Sequence, residues 1–411
     1  SGYLGRRPAR LHEPEKRMPF VRRFFQDLPG EIAVAQPDLR QFPAPFWPDE
    51  ITQAATLLDD AGIGAVALHC RAADPQEFCY AATILLTQAL GLPTAVDGRH
   101  RLYKVTPPTF QITALPPYFT ELAPRYDAAF TPIVYSPGRR TQTVTRSGMI
   151  EITVPLSGTW AVQGLLSGSQ QAQVQLLVDG VVTMPTRDPF AADTTAWRVA
   201  LPWSAGQHTV TLALPAATLT DAASSDCAQL CLHNLSIRLV QPTPAAVPAP
   251  QPLTFVNAQG ETATLQQSTL LVSPPVPAPP ADQATTAWLV STWRIDDALQ
   301  QKVQSAPERA PALFVHLLDA QEAVVAQVDH QLGARHLLVP AEHLLYDFTP
   351  LPPTLDPTAL RVTVGLWYPF TGAYFWQPTT TATATATSVT VGPLAPLTSL
   401  LDADVFSSGQ E

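Results

Sequence analysis

The chain has 411 residues, 46% of them hydrophobic and only 14% charged, with a formal net charge of −10. That length exceeds one ordinary core and implies roughly two to four domains, while the apolar content excludes wholesale disorder. The negative balance argues against nonspecific nucleic-acid binding, which needs a basic surface.

The first element, 1–18, reads as a basic tail. Arg6, Arg7, Arg10, Lys16 and Arg17, with Arg22 and Arg23 just beyond, outnumber Glu13 and Glu15. A solvated tail is the plainer reading, and a juxtamembrane segment touching anionic head groups is the other. No apolar run reaches the roughly 18 residues that a membrane helix needs. The chain opens on Ser1-Gly2 without Met, so it reads as an excised soluble piece whose targeting segment lies elsewhere or is lost.

Residues 19–106 read as a small α/β domain. A short strand is expected at 31–35 and a helix from Glu50 to Ala61, with Ile51, Ala54, Ala55 and Leu58 on one stripe and Gly62 as its C′ residue. Ala65 to Leu68 is an apolar strand, and a second helix runs from Pro75 to Leu90 behind the cap Asp74. Arg101 to Val105 closes the unit as a strand. This alternation suggests a parallel or mixed sheet.

Residues 107–147 form a Pro-rich connector, expected to be irregular. Residues 148–241 read as a β-sandwich. Trp160 and Val162 alternate, as do Val174, Leu176 and Val178 before the Asp179-Gly180 turn, then Trp197, Val199 and Leu201, then Val210, Leu212 and Leu214. Residues 242–252 are a Pro-rich linker. A second β-sandwich is expected over 253–393, including a hairpin in which Leu313, Val315 and Leu317 share a face across the turn Asp319-Ala320-Gln321-Glu322 from Val324, Ala326 and Val328. Residues 394–411 are tail. The fold class is therefore multidomain and mainly β: a small α/β domain followed by two β-sandwiches of jelly-roll or immunoglobulin-like kind. The whole chain carries 43 prolines, a number that favours such a linker-rich β architecture.

The four cysteines form two sequence-local pairs, Cys70 with Cys79 and Cys227 with Cys231, which suits disulfides in an oxidising compartment. Four small buried hydrophobes are the alternative. Zinc is disfavoured, because the spacing is not Cys-x-x-Cys and His233 is the sole histidine near in sequence.

Several stretches carry resemblances. FVHLLD…VVAQVDH, AVALHC, LGLPTAVDGRHRLYKV and the turn Tyr368-Pro369-Phe370-Thr371-Gly372 together resemble the extracytoplasmic region of long bacterial membrane proteins. Those are related to the dolichyl-phosphate-mannose mannosyltransferases, the GT-C class, of filamentous green bacteria. The resemblance implies that membrane helices precede this region and that the chemistry lies in acidic loops between those helices. This chain departs from the relatives by running directly from Pro37 to Phe46-Trp47-Pro48, without their longer insert. It also has Ala359-Leu360 where a Gly-x-Tyr usually enters the last hairpin. Separately, GTW…LLVDG…W…AGQHTVTLAL resembles galactose-binding-like and carbohydrate-binding jelly rolls.

No GxGxxG, Walker A, HExxH, GxSxG or EF-hand pattern occurs. The doublets Asp59-Asp60 and Asp296-Asp297 are adjacent residues that cannot face each other across a cleft as glycosidase carboxylates must. His69, His208, His233, His316 and His330 have no metal-ligand spacing. The sequon Asn234-Leu235-Ser236 is formal, since it lies in an expected strand.

Aromatic rings beside polar groups remain as sugar-binding candidates, because a pyranose has one apolar face and a hydroxyl rim. Trp160, Trp197 and Trp293 are expected to fill cores. The candidate carbohydrate contacts are Trp203 as a platform outside its strand, with His208, Asp188 and Trp197 near it. The tip cluster of Trp367, Tyr368, Phe370, Tyr374, Phe375 and Trp376 is a further group.

The leading expectation is a noncatalytic extracytoplasmic accessory region of a membrane glycosyltransferase-like protein, contacting glycan or polysaccharide. It would be tethered through a multi-helix membrane region, with no cofactor and no nucleic-acid partner. A surface-anchored carbohydrate-binding protein and a structural cell-envelope protein are the alternatives.

Overall fold

The computed structural model describes residues 62–70, 89–98, 100–113, 124–136, 139–191, 194–215, 230–243, 253–272, 287–352, 361–368, 374–379, 389–391 and 396–397. It also describes positions 54–56, 58–59, 82–83, 86–87, 115, 119 and 122. The expected strand at 31–35 lies outside these. The described chain is mainly β, in several antiparallel sheets, and among the described residues no helix is long and apolar enough to cross a membrane.

In the N-terminal unit, Ala54, Ala55 and Leu58 are helical and buried. Gly62, at φ +73°, ends that helix: its N–H donates to Asp59 O at 2.7 Å and the Ile63 N–H to Leu58 O at 2.8 Å. This 6→1 and 5→2 pair is the Schellman arrangement, which gives orphan carbonyls partners. The described strands of the sheet are antiparallel, where a parallel or mixed sheet is expected. Ala65–His69, His100–Lys104 and Ala95–Asp97 pair antiparallel, with His100–Lys104 in the middle. The tight turn at Gly98, φ +54°, joins Ala95–Asp97 to His100–Lys104 as a hairpin. Tyr103 faces the helical side, fully buried, its hydroxyl 3.4 Å from Thr83 O and 3.5 Å from Thr87 Oγ1.

The first sandwich packs two sheets. One orders Val181–Thr183, Gln175–Val178, Gly206–Ala213, Gly148–Val154 and Arg125–Tyr126. The other orders Thr186–Ala191, Thr194–Trp203, Gly158–Ser167, Cys231–Pro242, Arg139–Thr143 and Val134–Ser136. Alternate residues meet in the core, Ile150, Ile152 and Val210 from one sheet against Trp160, Val162 and Ile237 from the other. Gly164 is a position where only hydrogen fits easily, because a Cβ there would come 3.3 Å from both the His233 carbonyl and the Trp197 indole nitrogen.

The stretch 107–147 is not the irregular connector that its prolines suggest. Gln111–Thr113 pairs with His336–Val339 of the C-terminal sandwich, whereas Arg125–Tyr126 and Arg139–Thr143 extend the two sheets of the first. Along this stretch Phe110, Leu115, Phe119 and Leu122 are buried, and the Leu122 N–H donates to Ile237 O at 2.8 Å. Prolines here flank short edge strands, a position that costs the ladder nothing.

The C-terminal sandwich is built on an eight-stranded sheet whose central strands, Thr262–Val272, Ala287–Ile295 and Leu344–Leu351, neighbour one another in that order. It packs against a second sheet formed by Val324–Gln331, Ala312–Leu318, Arg361–Tyr368 and Tyr374–Phe375, with Val389–Val391 also paired to Arg361–Tyr368. Ala287–Ile295 is buried at every position but Arg294. It serves two cores: Leu289, Trp293 and Ile295 face the interior of this sandwich, while Trp288 and Val290 join the core of the first. One continuous apolar cluster thus runs from the first sandwich through Phe119 to the outer face of the second.

The hairpin at 312–331 forms as its alternation predicts. Leu313, Val315 and Leu317 are buried, and Val315 faces Val328. A bulge between Leu317 and Leu318 puts Val324 out of phase, and it is exposed. Asp319 builds the turn, accepting from the Gln321 and Ala323 N–H groups at 2.8 and 2.9 Å.

Candidate functional site

The Asp179-Gly180 turn has both φ angles positive, 48° and 79°, as a primed hairpin turn requires. It sets the Asp179 carboxylate over the next strand. Oδ1 accepts from the Thr209 N–H at 2.7 Å, and Oδ2 lies 2.8 Å from His208 Nδ1. His208 Nε2 lies 2.8 Å from the Ser204 carbonyl oxygen. Partial burial works against ionisation of Asp179, but the hydrogen bonds from His208 and Thr209 prevail and hold its carboxyl below the usual range. The imidazole stacks on Trp203 with centroids 4.9 Å apart and planes 17° from parallel.

Of the residues that sequence reasoning placed here, Trp203 and His208 do meet, but not as a sugar platform. Trp203 is the last residue of Thr194–Trp203, not a residue outside it, and is only 4% exposed, within the sandwich core. Its in-phase spacing from Leu201 and Val199 turns it inward, and His208 covers one ring face. Trp197 is likewise in the core at 1%. Asp188 lies on Thr186–Ala191 opposite Ala196, and its side chain falls outside the described residues. Cys70 and Cys231 are both disulfide-bonded, while Cys79 and Cys227 lie outside the described residues.

A denser polar group went unread in the sequence. Asn257 Oδ1 accepts from the N–H groups of Gln259 and Glu261, both at 2.9 Å, closing the turn between Leu253–Val256 and Thr262–Val272 and presenting Glu261. Glu261 Oε2 accepts from Asn257 Nδ2 and from the Tyr368 hydroxyl, each at 2.7 Å. Lys302, in the last turn of the helix Asp297–Ser305, donates to Glu261 Oε1 and, at 3.1 Å, to the Tyr368 hydroxyl oxygen, with its ammonium 5.3 Å from the Tyr368 ring centre.

Burial opposes the charge on Glu261 and on Lys302, yet the mutual bonds outweigh it, lowering the Glu261 pKa and raising that of Lys302. Burial and the neighbouring carboxylate raise the pKa of Tyr368. The members are 41 and 66 positions apart, so no local spacing announced them; the one available signal was that Lys302 is one of three lysines.

Of the tip cluster, Trp376 is fully buried, Trp367 and Tyr368 keep partly exposed side chains, and the side chains of Phe370, Tyr374 and Phe375 fall outside the described residues. Trp160 and Trp293 are core residues, as alternation predicts. His233 is held between Thr141 and Ser167, each at 2.8 Å. Asn234 is buried in the strand Cys231–Pro242 at a register shift. Among the described residues no group of three or more His, Cys, Asp and Glu side chains is placed to hold a metal ion.

Comparison with known proteins finds no matching family model and no matching curated protein. Solved structures give distant alignments. A β-glucuronidase of Bifidobacterium dentium, complexed with coumarin-3-O-glucuronide, aligns over 63% of this chain and 40% of its own, at 10% identity and TM-score 0.16. A glycosyl hydrolase family 2 member of Bacteroides cellulosilyticus aligns over 80% of this chain and 34% of its own, at 10% identity and TM-score 0.14. An anti-sigma factor domain-containing protein aligns over 53% and 78%, at 10% identity and TM-score 0.13. The chain spans less than half the length of either glycosidase, and TM-scores this low carry no functional inference.

Proposed function

We propose that this chain is a noncatalytic, extracytoplasmic scaffold region of a membrane glycosyltransferase-like protein. The observation that carries the scaffold reading is the shared core. Phe119 and its neighbours lock the two sandwiches into one hydrophobic body, and a rigid body of this kind suits holding a partner or polymer at a set distance. The disulfide state of Cys70 and Cys231 favours an oxidising compartment. The tie to a membrane glycosyltransferase-like protein rests on the sequence resemblance. Glycan contact falls to partly exposed rings such as Trp367 and Tyr368, since Trp203 and Trp197 are enclosed.

The test is fractionation of the native host with an antibody raised against this chain. The antigen should sit in the membrane fraction, in a polypeptide well above 44.3 kDa that carries the membrane helices. A free band near 44.3 kDa in the soluble fraction sinks the membrane part of the reading. Glycosyl transfer by the isolated chain, supplied with nucleotide- or lipid-linked sugar donors, sinks the noncatalytic part.

A further inference from the structure

The three-stranded sheet of the N-terminal unit has two unlike faces. Tyr103 and Leu68 point to the helical side and are buried, so their chain neighbours point the other way. On that outward face the register sets His69 opposite His100, and His100 opposite Asp97, in one row across all three strands. All three are exposed.

The His69–His100 pair is of the close kind. The Val105 N–H donates to Gly64 O at 3.0 Å, which makes Gly64 and Val105 a hydrogen-bonded pair at the start of the ladder. Such pairs alternate with non-hydrogen-bonded ones, and counting along the register brings His69 and His100 to the latter, where opposed side chains stand closest. Their ring centroids are 4.8 Å apart, with planes at 68°.

We propose that this pair is a surface binding site for a borderline transition-metal dication, Cu(II) foremost and Zn(II) after it, with the two imidazoles as its protein ligands. The spacing fits. A metal about 2.0–2.1 Å from each ligating nitrogen lies about 3.2 Å from each ring centre. Ligand angles between square-planar and tetrahedral then put the centres about 4.5–5.2 Å apart.

Imidazole suits these ions, and Cu(II) leads the affinity order for nitrogen sites. Cys70, next in the chain, is disulfide-bonded and supplies no thiolate. Asp97, in the same row, lowers the electrostatic cost of a dication there. With two protein ligands and water in the remaining positions, the site is a reversible one.

The experiment is a Cu(II) titration of the full chain, free of any affinity tag, followed by calorimetry and electron paramagnetic resonance at neutral pH. One saturable equivalent with hyperfine structure from two nitrogens is expected. His69→Ala and His100→Ala should each weaken binding about tenfold or more, since even an outer-sphere partner is worth about 10–100-fold. Asp97→Asn should weaken it less.

Undiminished affinity in the His69→Ala/His100→Ala double variant overturns the proposal. A measurement on the unaltered chain guards against misfolded variants: Zn(II) should protect His69 and His100 together from diethyl pyrocarbonate, read by mass spectrometry. Protection of other histidines with these two left reactive overturns it equally.

Discussion

Phe119 lies edge-on to Trp288, ring centres 5.6 Å apart and planes 86° from parallel, and joins the two sandwiches at a point where the sequence suggests a loose connector. The same ring sits 4.4 Å from that of Phe348 and is fully buried. Removing it opens a cavity against the outer face of the second sandwich, in the cluster that continues into the first. Phe119→Ala should cost about 3–5 kcal/mol and split one thermal transition into two, as the first and second sandwiches lose their coupling. Calorimetry decides this; a single transition with little loss would mean that the shared core does not couple the units.

Proteolysis offers a second check on the same relationship. Strand pairing at Gln111–Thr113 and Arg139–Thr143 should protect 107–147, so an elastase-type protease should cut within the Pro- and Ala-rich run 244–252 first. Early cleavage between 111 and 143 would contradict that protection.

His330 Nε2 stands 2.7 Å from Asp347 Oδ2, and Asp347 is fully buried on the strand Leu344–Leu351. Burial pulls the His330 pKa down, but Asp347 outweighs it, with Asp329 adding and Arg335 opposing, so the folded value is raised above 6.5. That stabilisation is complete below the unfolded value and fades as pH rises through the folded one. His336, directly opposite Asp347, behaves in the other sense: burial lowers its pKa, so its contribution is present above 6.5 and fades as pH falls. Asp347→Asn should cost about 3–5 kcal/mol and remove the His330 arm of the pH profile. Urea midpoints across pH 5 to about 9 read it out, and an unchanged profile would show that His330 does not titrate as described.

Glu261 titrates in the sense opposite to His330. Its pKa is lowered below 4.5, so its contribution is present above 4.5 and is lost as pH falls through the folded value. Tyr368→Phe leaves one lone pair of Oε2 without its donor and should cost about 1–3 kcal/mol. It should also move acid unfolding to higher pH, seen by circular dichroism. An acid midpoint equal to that of the unaltered protein would show that Tyr368 does not hold the carboxylate.

Trp203→Ala distinguishes a core residue from a binding platform. The variant should lose about 3–5 kcal/mol of stability, with His208 losing its stacking partner. Glycan-array signals from whatever fraction remains folded should be unchanged. Selective loss of one glycan at full stability would restore the platform reading.

The elements themselves were largely legible. The hairpin at 312–331, the Asp179-Gly180 turn, the Gly62 helix end and the core roles of Trp160 and Trp293 all follow from alternation and turn chemistry, which act between near neighbours. The expectation for Trp203 fails for a local reason as well: the turn-forming residues Ser204-Ala205-Gly206 suggest a strand that stops before Trp203, whereas the strand runs through it. Asp188 and the tip aromatics Phe370, Tyr374 and Phe375 lie where side chains are not described, so their expected roles rest on sequence alone.

What the sequence determined by itself was period, turn position and the mainly β class, since each depends on side chains within a few residues of one another. Only the tertiary structure decided which strands share a sheet, that 107–147 serves both sandwiches, and that Glu261, Lys302 and Tyr368 converge. It also decided that His69 meets His100. Those outcomes depend on register and sheet order, and contacts between strands far apart in the chain leave no spacing in the sequence from which to read them.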